Sequence, residues 1–123
     1  MKNMSFALTT QQIKEGTKTV TRRQGWAQLK PGDYFQPVYK SMGLKEGEVV
    51  QVLRPPLVVV SNRIEPLDRI LLDLEYGMVE CVREGFGDHP VYRWPQNFIA
   101  FFCASHRGCT PETLITRIEF AYT

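Results

Sequence analysis

The sequence has 123 residues, which suits one ordinary domain and is too short for two. Hydrophobic residues make up 43% of it, enough for one core, and no stretch approaches the roughly 18 apolar residues of a membrane span. Three scattered cysteines argue against a disulfide framework. The first residues lack the apolar region of a secretion signal, so we expect a soluble cytoplasmic protein, monomeric by default, with a single domain over residues 1–123.

The net charge of +2 is unevenly distributed along the chain. Residues 1–64 hold ten Lys and Arg against four Asp and Glu, whereas residues 65–123 hold five against nine. A basic N-terminal half and an acidic C-terminal half would suit a cleft in which one wall attracts anions. Uneven solvated surface explains the same numbers, and charge alone favours that simpler interpretation.

The N-terminal half predicts one short helix and several strands. Residues 9–16 form the predicted helix, and Gly16 is a natural C-terminal stop. Strands are predicted over residues 18–23, 34–39, 48–53 and 57–64. The Pro-Gly pair at 31–32 predicts a tight turn before the second strand.

The C-terminal half predicts two helices and a last strand. Residues 67–85 form the first helix, which Gly85 ends. Its predicted apolar stripe consists of Leu74, Met78, Cys81 and Val82. Pro95 opens a second helix over 95–106, and the chain finishes after Gly108 with the alternation of a strand. Helices that interrupt the strands without regular alternation indicate an α+β fold, and so few strands bury a core most readily as a small barrel or a strongly bent sheet.

The most specific pattern lies at Gly16-Thr17-Lys18-Thr19-Val20-Thr21-Arg22-Arg23, which reads Gly-x-Lys-x-x-Thr-x-Arg after a short helix. Three segments follow in order: Lys30-Pro31-Gly32-Asp33, then Glu84-Gly85-Phe86 after a helix, and the terminal Arg117-Ile118-Glu119-Phe120. With these four segments the chain resembles the ASCH group of the PUA-like superfamily over nearly its whole length. The resemblance implies a PUA-like small β-barrel of five to six strands with two to three flanking helices, and a cleft between barrel and helices.

The resemblance also implies a function in recognising RNA or a modified nucleoside. Some ASCH proteins similar to this one hydrolyse the acetamide of N4-acetylcytidine, and others have been linked to RNA cleavage. In the amidohydrolase branch a Lys, a Thr and a Glu form the site, and these fall on Lys18, Thr21 and Glu84 here. The candidate ligand-binding residues are Arg22, Arg23, Trp26 and Lys30. No cofactor is expected.

The chemistry of the three candidate catalytic residues suits acyl transfer. The Thr21 hydroxyl needs a base, and Lys18 can be that base if burial and nearby arginines lower its pKa. Glu84 lies at the predicted end of its helix, where the dipole favours a protonated carboxyl that can serve as general acid. Residues 18 and 21 of a regular strand point to opposite faces. The two side chains can therefore share a site only if the backbone bulges or Lys18 still lies in the preceding turn.

Two further groups of residues have side chains suited to binding. Trp26 and Trp94 are candidates for stacking on a base, although core packing or lining of the barrel mouth is the commoner role for such residues. Cys103, His106 and Cys109, with His89 upstream, have a spacing compatible with metal ligands, but no second cysteine pair exists and no metal site is predicted. A buried Cys103 beside the phenylalanines is the simpler account.

Three functions remain open from the sequence. The first is a basic cleft that binds RNA or a modified nucleoside through Lys18, Thr21, Arg22 and Arg23. The second is an amidohydrolase acting on an N4-acylated cytidine, with a ribonuclease as the less favoured enzyme. The third is a protein-interaction module with a vestigial cleft. The segments 69–83 and 96–106 make the chain longer than the minimal amidohydrolases and could narrow or cap the cleft.

Overall fold

The computed structural model describes residues 1–123 as five strands and four helices. The strands are β1 (Lys2–Ser5), β2 (Val20–Arg23), β3 (Tyr34–Val38), β4 (Leu57–Pro66) and β5 (Leu114–Ala121). The helices are α1 (Thr10–Glu15), α2 (Arg69–Leu72), α3 (Leu74–Cys81) and α4 (Pro95–Ser105), and one π-helical turn, Val82–Phe86, follows α3. The predicted α+β class is confirmed. None of the helices combines the length and the apolar character that a membrane crossing requires.

The strands form one open mixed sheet in the order β1-β3-β4-β5-β2. β1 runs parallel to β3, and the other neighbours are antiparallel, with a bulge in β4 between Val59 and Ser61. The predicted closed barrel is wrong, because β1 and β2 remain unpaired edges. Both edges are only four residues long, and one side-chain hydrogen bond spans the space between them. Arg23 Nη2 donates to Ser5 O there at 2.5 Å.

The predicted strand over residues 48–53 is also wrong. This segment joins β3 through one isolated bridge, between Val38 and Val52. Pro37 has no N–H with which to extend the pairing. Val49 is 79% exposed, so little apolar burial holds the segment against the sheet.

The predicted helix over 67–85 is broken at Asp73. Its extended backbone (φ −121°, ψ 92°) separates α2 from α3, and its carboxylate caps α3 by accepting a backbone N–H of the first turn. The predicted apolar stripe largely faces outward, since Leu74 and Val82 are 59% and 56% exposed. The buried face carries Glu80 instead, because partners elsewhere in the fold compensate its charge.

Two apolar clusters build the core. The first joins β1, α1, β3, β4 and β5 through Met4, Phe6, Ile13, Leu29, Phe35, Leu57, Val59, Ile118 and Phe120. The second lies among α2, α3, α4 and the start of β5, and comprises Leu67, Ile70, Cys81, Phe86, Phe98, Ile99, Phe102 and Ile115. β5 contributes to both clusters, and its buried Thr116 and Arg117 lie between those contributions in sequence. Polar groups therefore occupy the interior where the two clusters approach along β5.

α2 and α3 pack so closely that the structure has room only for glycine at position 77. A Cβ at Gly77 would lie 1.7 Å from Ile70 O, which is backbone and cannot easily yield. We predict that Gly77→Ala lowers the free energy of unfolding by about 1–3 kcal/mol through overpacking, measured by urea denaturation. Gly87→Ala is the matched control, since Gly87 also has helical backbone and its Cβ would meet only Val82 side-chain atoms, at 3.4 Å. Equal stability of the two variants would contradict this packing.

Candidate functional site

The loop between α1 and β2 holds Lys18 outside the strand. β2 begins only at Val20, so Lys18 lies in the preceding turn. Tyr122 Oη donates to Lys18 O at 2.6 Å, and Thr19 N donates to Arg83 O at 2.8 Å. These bonds tie the loop to the residue that follows β5 and to the π-turn. The strand alternation that would separate residues 18 and 21 therefore does not apply.

A cavity of about 200 Å³ lies where β1 and β2 fail to pair, beside the π-turn and α4. The charged and hydroxyl side chains that line it include Lys18, Thr21, Arg22, Arg23 and Glu84. The ring side chains that line it are Phe6, Phe86, Phe98, Phe101, Phe102 and His106. The structure thus brings the three candidate catalytic residues to one cavity together with two of the candidate ligand-binding arginines.

Lys18 and Glu84 form a buried ion pair in this cavity. Lys18 Nζ donates to Glu84 Oε1 at 2.9 Å and to Glu84 O at 2.7 Å. Burial lowers the pKa of Lys18, and the charge of Glu84 opposes that shift. Gly85 permits the close approach: it has φ +98°, and a Cβ there would lie 3.1 Å from Gln12 and 3.4 Å from Lys18 Cβ.

Thr21 is held by Arg23 and makes no hydrogen bond with Lys18. Arg23 Nε donates to Thr21 Oγ1 at 3.1 Å, and its guanidinium lies 4.7 Å from the centre of the Phe6 ring. Burial lowers the pKa of Arg23 to about 10, against the opposing charge of Glu84, so Arg23 stays charged at neutral pH. Thr21 Oγ1 donates to no protein atom, and its proton is free for a ligand.

Six charged side chains form a buried ion cluster next to the cavity. Its cations are Lys18, Arg22 and Arg117, and its anions are Glu65, Glu80 and Glu84. Arg22 lies at the centre, with Nη2 2.6 Å from Glu80 Oε1 and Nη1 3.2 Å from Glu84 Oε2. Arg117 binds Glu80 through two nitrogens, at 2.5 and 3.0 Å. The geometry is that of strong, charge-assisted hydrogen bonds.

The electrostatics of the ion cluster keep Glu80 and Arg22 ionised. Burial would raise the pKa of Glu80, but hydrogen bonds from Arg117 and the charge of Arg22 hold it at about 2. Burial would likewise lower the pKa of Arg22, and the carboxylates of Glu84 and Glu80 raise it instead. Three buried cations face three buried carboxylates, so the positive charge expected of a basic cleft is largely compensated inside the protein.

Several residues of this site escaped the sequence analysis. Glu65, Glu80 and Arg117 complete the ion cluster, and His106 lines the cavity from the end of α4. The sequence did contain one indication of the ion cluster. Glu80 and Glu84 are four residues apart, a spacing at which like charges on an exposed helix repel each other. Such a pair indicates shared cationic partners. For His106 the sequence indicated only the spacing of a possible metal ligand with Cys103 and Cys109.

Other candidate residues lie away from the cavity. Trp26 does not line it and packs against the first apolar cluster, while Lys30 is exposed in a turn where its N–H donates to Asp33. Trp94 is 42% exposed beside a different, apolar groove. No three His, Cys, Asp or Glu side chains are grouped so as to hold a metal ion.

Fold and site together define a small α+β domain with an open five-stranded mixed sheet and a cavity at its unpaired edges. The chain aligns with the crystal structure of protein EF3133 from Enterococcus faecalis V583, which carries the family description DUF984, with a TM-score of 0.64 and 18% identity. The alignment covers 100% of this chain and 76% of that chain. At this identity the likeness shows a shared fold. No protein-family model matches the sequence, and no curated protein matches it significantly.

The ion cluster generates a prediction for stability. Glu80→Gln leaves Arg22 and Arg117 without their shared carboxylate, and we predict a loss of about 3–5 kcal/mol in the free energy of unfolding at pH 7. The pKa of Glu80 is lowered from 4.5 to about 2 in the folded protein, so its contribution is complete above 4.5 and is lost as the pH falls toward about 2. Urea denaturation of the variant should therefore show a shallower pH dependence in that range.

Glu75→Gln is the matched control for this measurement. Glu75 is exposed on the same helix and forms no ion pair, so its replacement should change the stability by about 0.5 kcal/mol or less. If Glu80→Gln proved as stable as Glu75→Gln, the ion cluster would not have the role assigned to it.

Proposed function

We propose that this chain is an ASCH-type domain of the PUA-like superfamily, and that its cavity binds the base of a modified pyrimidine nucleoside. One observation carries the proposal: Lys18, Thr21 and Glu84, which the motif pattern selects, line a single cavity together with ring side chains. The likeness to protein EF3133 supports the fold part of the proposal alone.

The size of the cavity favours a single base over a folded RNA. Its volume of about 200 Å³ is below the roughly 300–1,000 Å³ of pockets for drug-sized ligands, so the occupant is a small group. Ring side chains such as Phe101 and His106 offer flat surfaces, on which unpaired bases commonly stack. A planar heterocycle therefore suits both the volume and the lining.

The polar groups of the cavity offer both donors and an acceptor. The free proton of Thr21 Oγ1 and the Lys18 ammonium can donate to a ring carbonyl, and the Glu84 carboxylate can accept an exocyclic N–H. Cytosine carries a carbonyl and an exocyclic amine on one ring, and bound bases are commonly read along such an edge. A cytidine derivative matches this set.

The charges that line the cavity argue against a ligand held by several phosphates. Lys18 and Arg22 bind carboxylates of the protein, and only Arg23, which bonds to Thr21 Oγ1 and Ser5 O, lacks a carboxylate partner. Proteins that grip several phosphates lose affinity steeply with salt, by about 0.7 to 0.9 log units per log unit of salt for each contact. Binding to this cavity should depend little on salt.

The binding proposal is tested by calorimetry with cytidine and N4-acetylcytidine. We predict that Thr21→Val weakens binding by roughly two- to tenfold, the loss expected for one hydrogen bond. Thr19→Val is the matched control, because Thr19 is two residues away and does not line the cavity. The affinity should change by less than about twofold between 50 and 200 mM salt. Absence of binding by the wild type, or equal weakening by both variants, would reject the proposal.

A second candidate function is hydrolysis of the acyl group of an N4-acylated cytidine. Two observations favour it: Thr21 and Lys18 line the same cavity, and burial lowers the pKa of Lys18 as a general base requires. In the reacting state the proton of the pair would lie on Glu84, which leaves Lys18 neutral. Thr21 Oγ1 would attack the acyl carbonyl, Lys18 would take its proton, and the C–N bond would break as Glu84 protonates the leaving amine. A water molecule would then hydrolyse the acyl-threonine and release the acid. Lys18 Nζ is bonded to Glu84, so this role requires Nζ to turn toward Thr21. The binding function needs no such movement, and the observed geometry therefore favours it.

Release of acetate from N4-acetylcytidine tests the hydrolase. We predict that Thr21→Val lowers kcat at least about a hundredfold, because the attacking oxygen is lost, whereas Thr21→Ser keeps measurable turnover. Thr19→Val should retain the wild-type rate. Turnover by Thr21→Val at the wild-type rate would show that Thr21 is not the nucleophile. The calorimetric test of nucleoside binding is independent of this result.

A further inference from the structure

Cys103 and Cys109 bring two thiols together at the end of α4. Their Sγ atoms lie 3.5 Å apart, and both side chains are partly exposed. The intervening chain makes two consecutive turns, in which His106 N donates to Cys103 O and Cys109 N donates to His106 O. Both thiols also pack against the second apolar cluster. The fold thus holds the pair together through backbone bonds and packing.

The local backbone can accommodate a covalent bond between the two sulfurs. A disulfide has a sulfur–sulfur length of about 2.05 Å, so the atoms must approach by about 1.5 Å. Gly108, just before Cys109, has φ +74° and no atoms around the position of a Cβ. This glycine can take up a small change of dihedral angle without a clash. The approach therefore needs adjustment in the loop and none in the sheet.

We propose that Cys103 and Cys109 form a reversible disulfide site that is oxidised by a small disulfide such as glutathione disulfide. One thiol, as its thiolate, attacks glutathione disulfide and breaks that bond, which releases one glutathione and leaves a mixed disulfide. The second cysteine then attacks the protein sulfur of the mixed disulfide and releases a second glutathione. Two electrons pass to glutathione disulfide, and the two protons lost by the cysteines end on the two glutathione thiols.

The geometry limits the exchange to this pair of thiols. Both side chains are partly exposed, so either thiol can meet glutathione disulfide, and the other completes the bond from its position 3.5 Å away. The remaining cysteine, Cys81, is buried, and burial raises its pKa to about 12. Cys81 stays out of the exchange.

The bond would fix one wall of the candidate cavity. His106 lies between the two cysteines, lines the cavity and stacks on Phe102 with ring centres 4.0 Å apart. Its Nδ1 lies 2.8 Å from Phe102 O, which can only accept, so Nδ1 carries the proton. The disulfide would close a ring of seven residues around this histidine. The site itself is independent of the ligand proposed above.

The test is a redox titration followed by mass spectrometry. The reduced protein is equilibrated in glutathione buffers of rising oxidised fraction, quenched with N-ethylmaleimide and mapped by peptides. We expect one internal disulfide between Cys103 and Cys109, with Cys81 recovered as the free thiol. Cys103→Ser and Cys109→Ser should yield only glutathione adducts on the remaining thiol. The same titration in urea provides the reference, and the native disulfide should withstand about tenfold more reduced glutathione.

Two results would overturn the proposal. One is glutathione on both Cys103 and Cys109 of the native protein without an internal bond. The other is native protein that keeps both thiols reduced at the glutathione ratio that oxidises the chain in urea. Neither result bears on nucleoside binding, and failure of nucleoside binding does not affect this measurement.

Discussion

The buried ion cluster around Arg22 and Glu80 joins the sheet to the helices. β2 supplies Arg22, β5 supplies Arg117 and α3 supplies Glu80, so one set of contacts couples three separate elements. Removing an ion from water costs several kcal/mol, and a buried ion is tolerated only when its partners are in place. We infer that the cluster contributes less to net stability than to specifying how α3 lies against the sheet.

The same cluster shapes the cavity at the open edge of the sheet. Lys18 and Glu84 belong to both, because they line the cavity while their charges are balanced by each other and by Arg22. β1 and β2 do not pair, and the bond from Arg23 to Ser5 crosses the space that a barrel ladder would have filled. A closed barrel would have removed this space. The departure from the predicted barrel is therefore what leaves room for a ligand.

Helix α3 shows why local patterns misled the prediction. The spacing of Leu74 and Val82 indicates an apolar face, yet both side chains are exposed. Glu80 is buried because Arg22 and Arg117, distant in sequence, supply its charge partners. A hydrophobic pattern assigns glutamate to the exposed face of a helix. It does not take into account arginines of other strands that can pair with the carboxylate. Tertiary pairing therefore buries Glu80 beside Cys81, the one residue of the predicted stripe that is fully buried.

By itself the sequence determined the α+β class, the positions of α1 and α4 and the stop at Gly16, whereas Lys18, Thr21 and Glu84 were selected by the resemblance to the ASCH group. These features depend on the backbone preferences and the hydrophobic pattern of residues that are close together in the sequence. Only the tertiary structure decided that Lys18 precedes β2, that the sheet stays open and that Cys103 meets Cys109. Those outcomes depend on side chains that become neighbours after folding, and no local pattern encodes such distances.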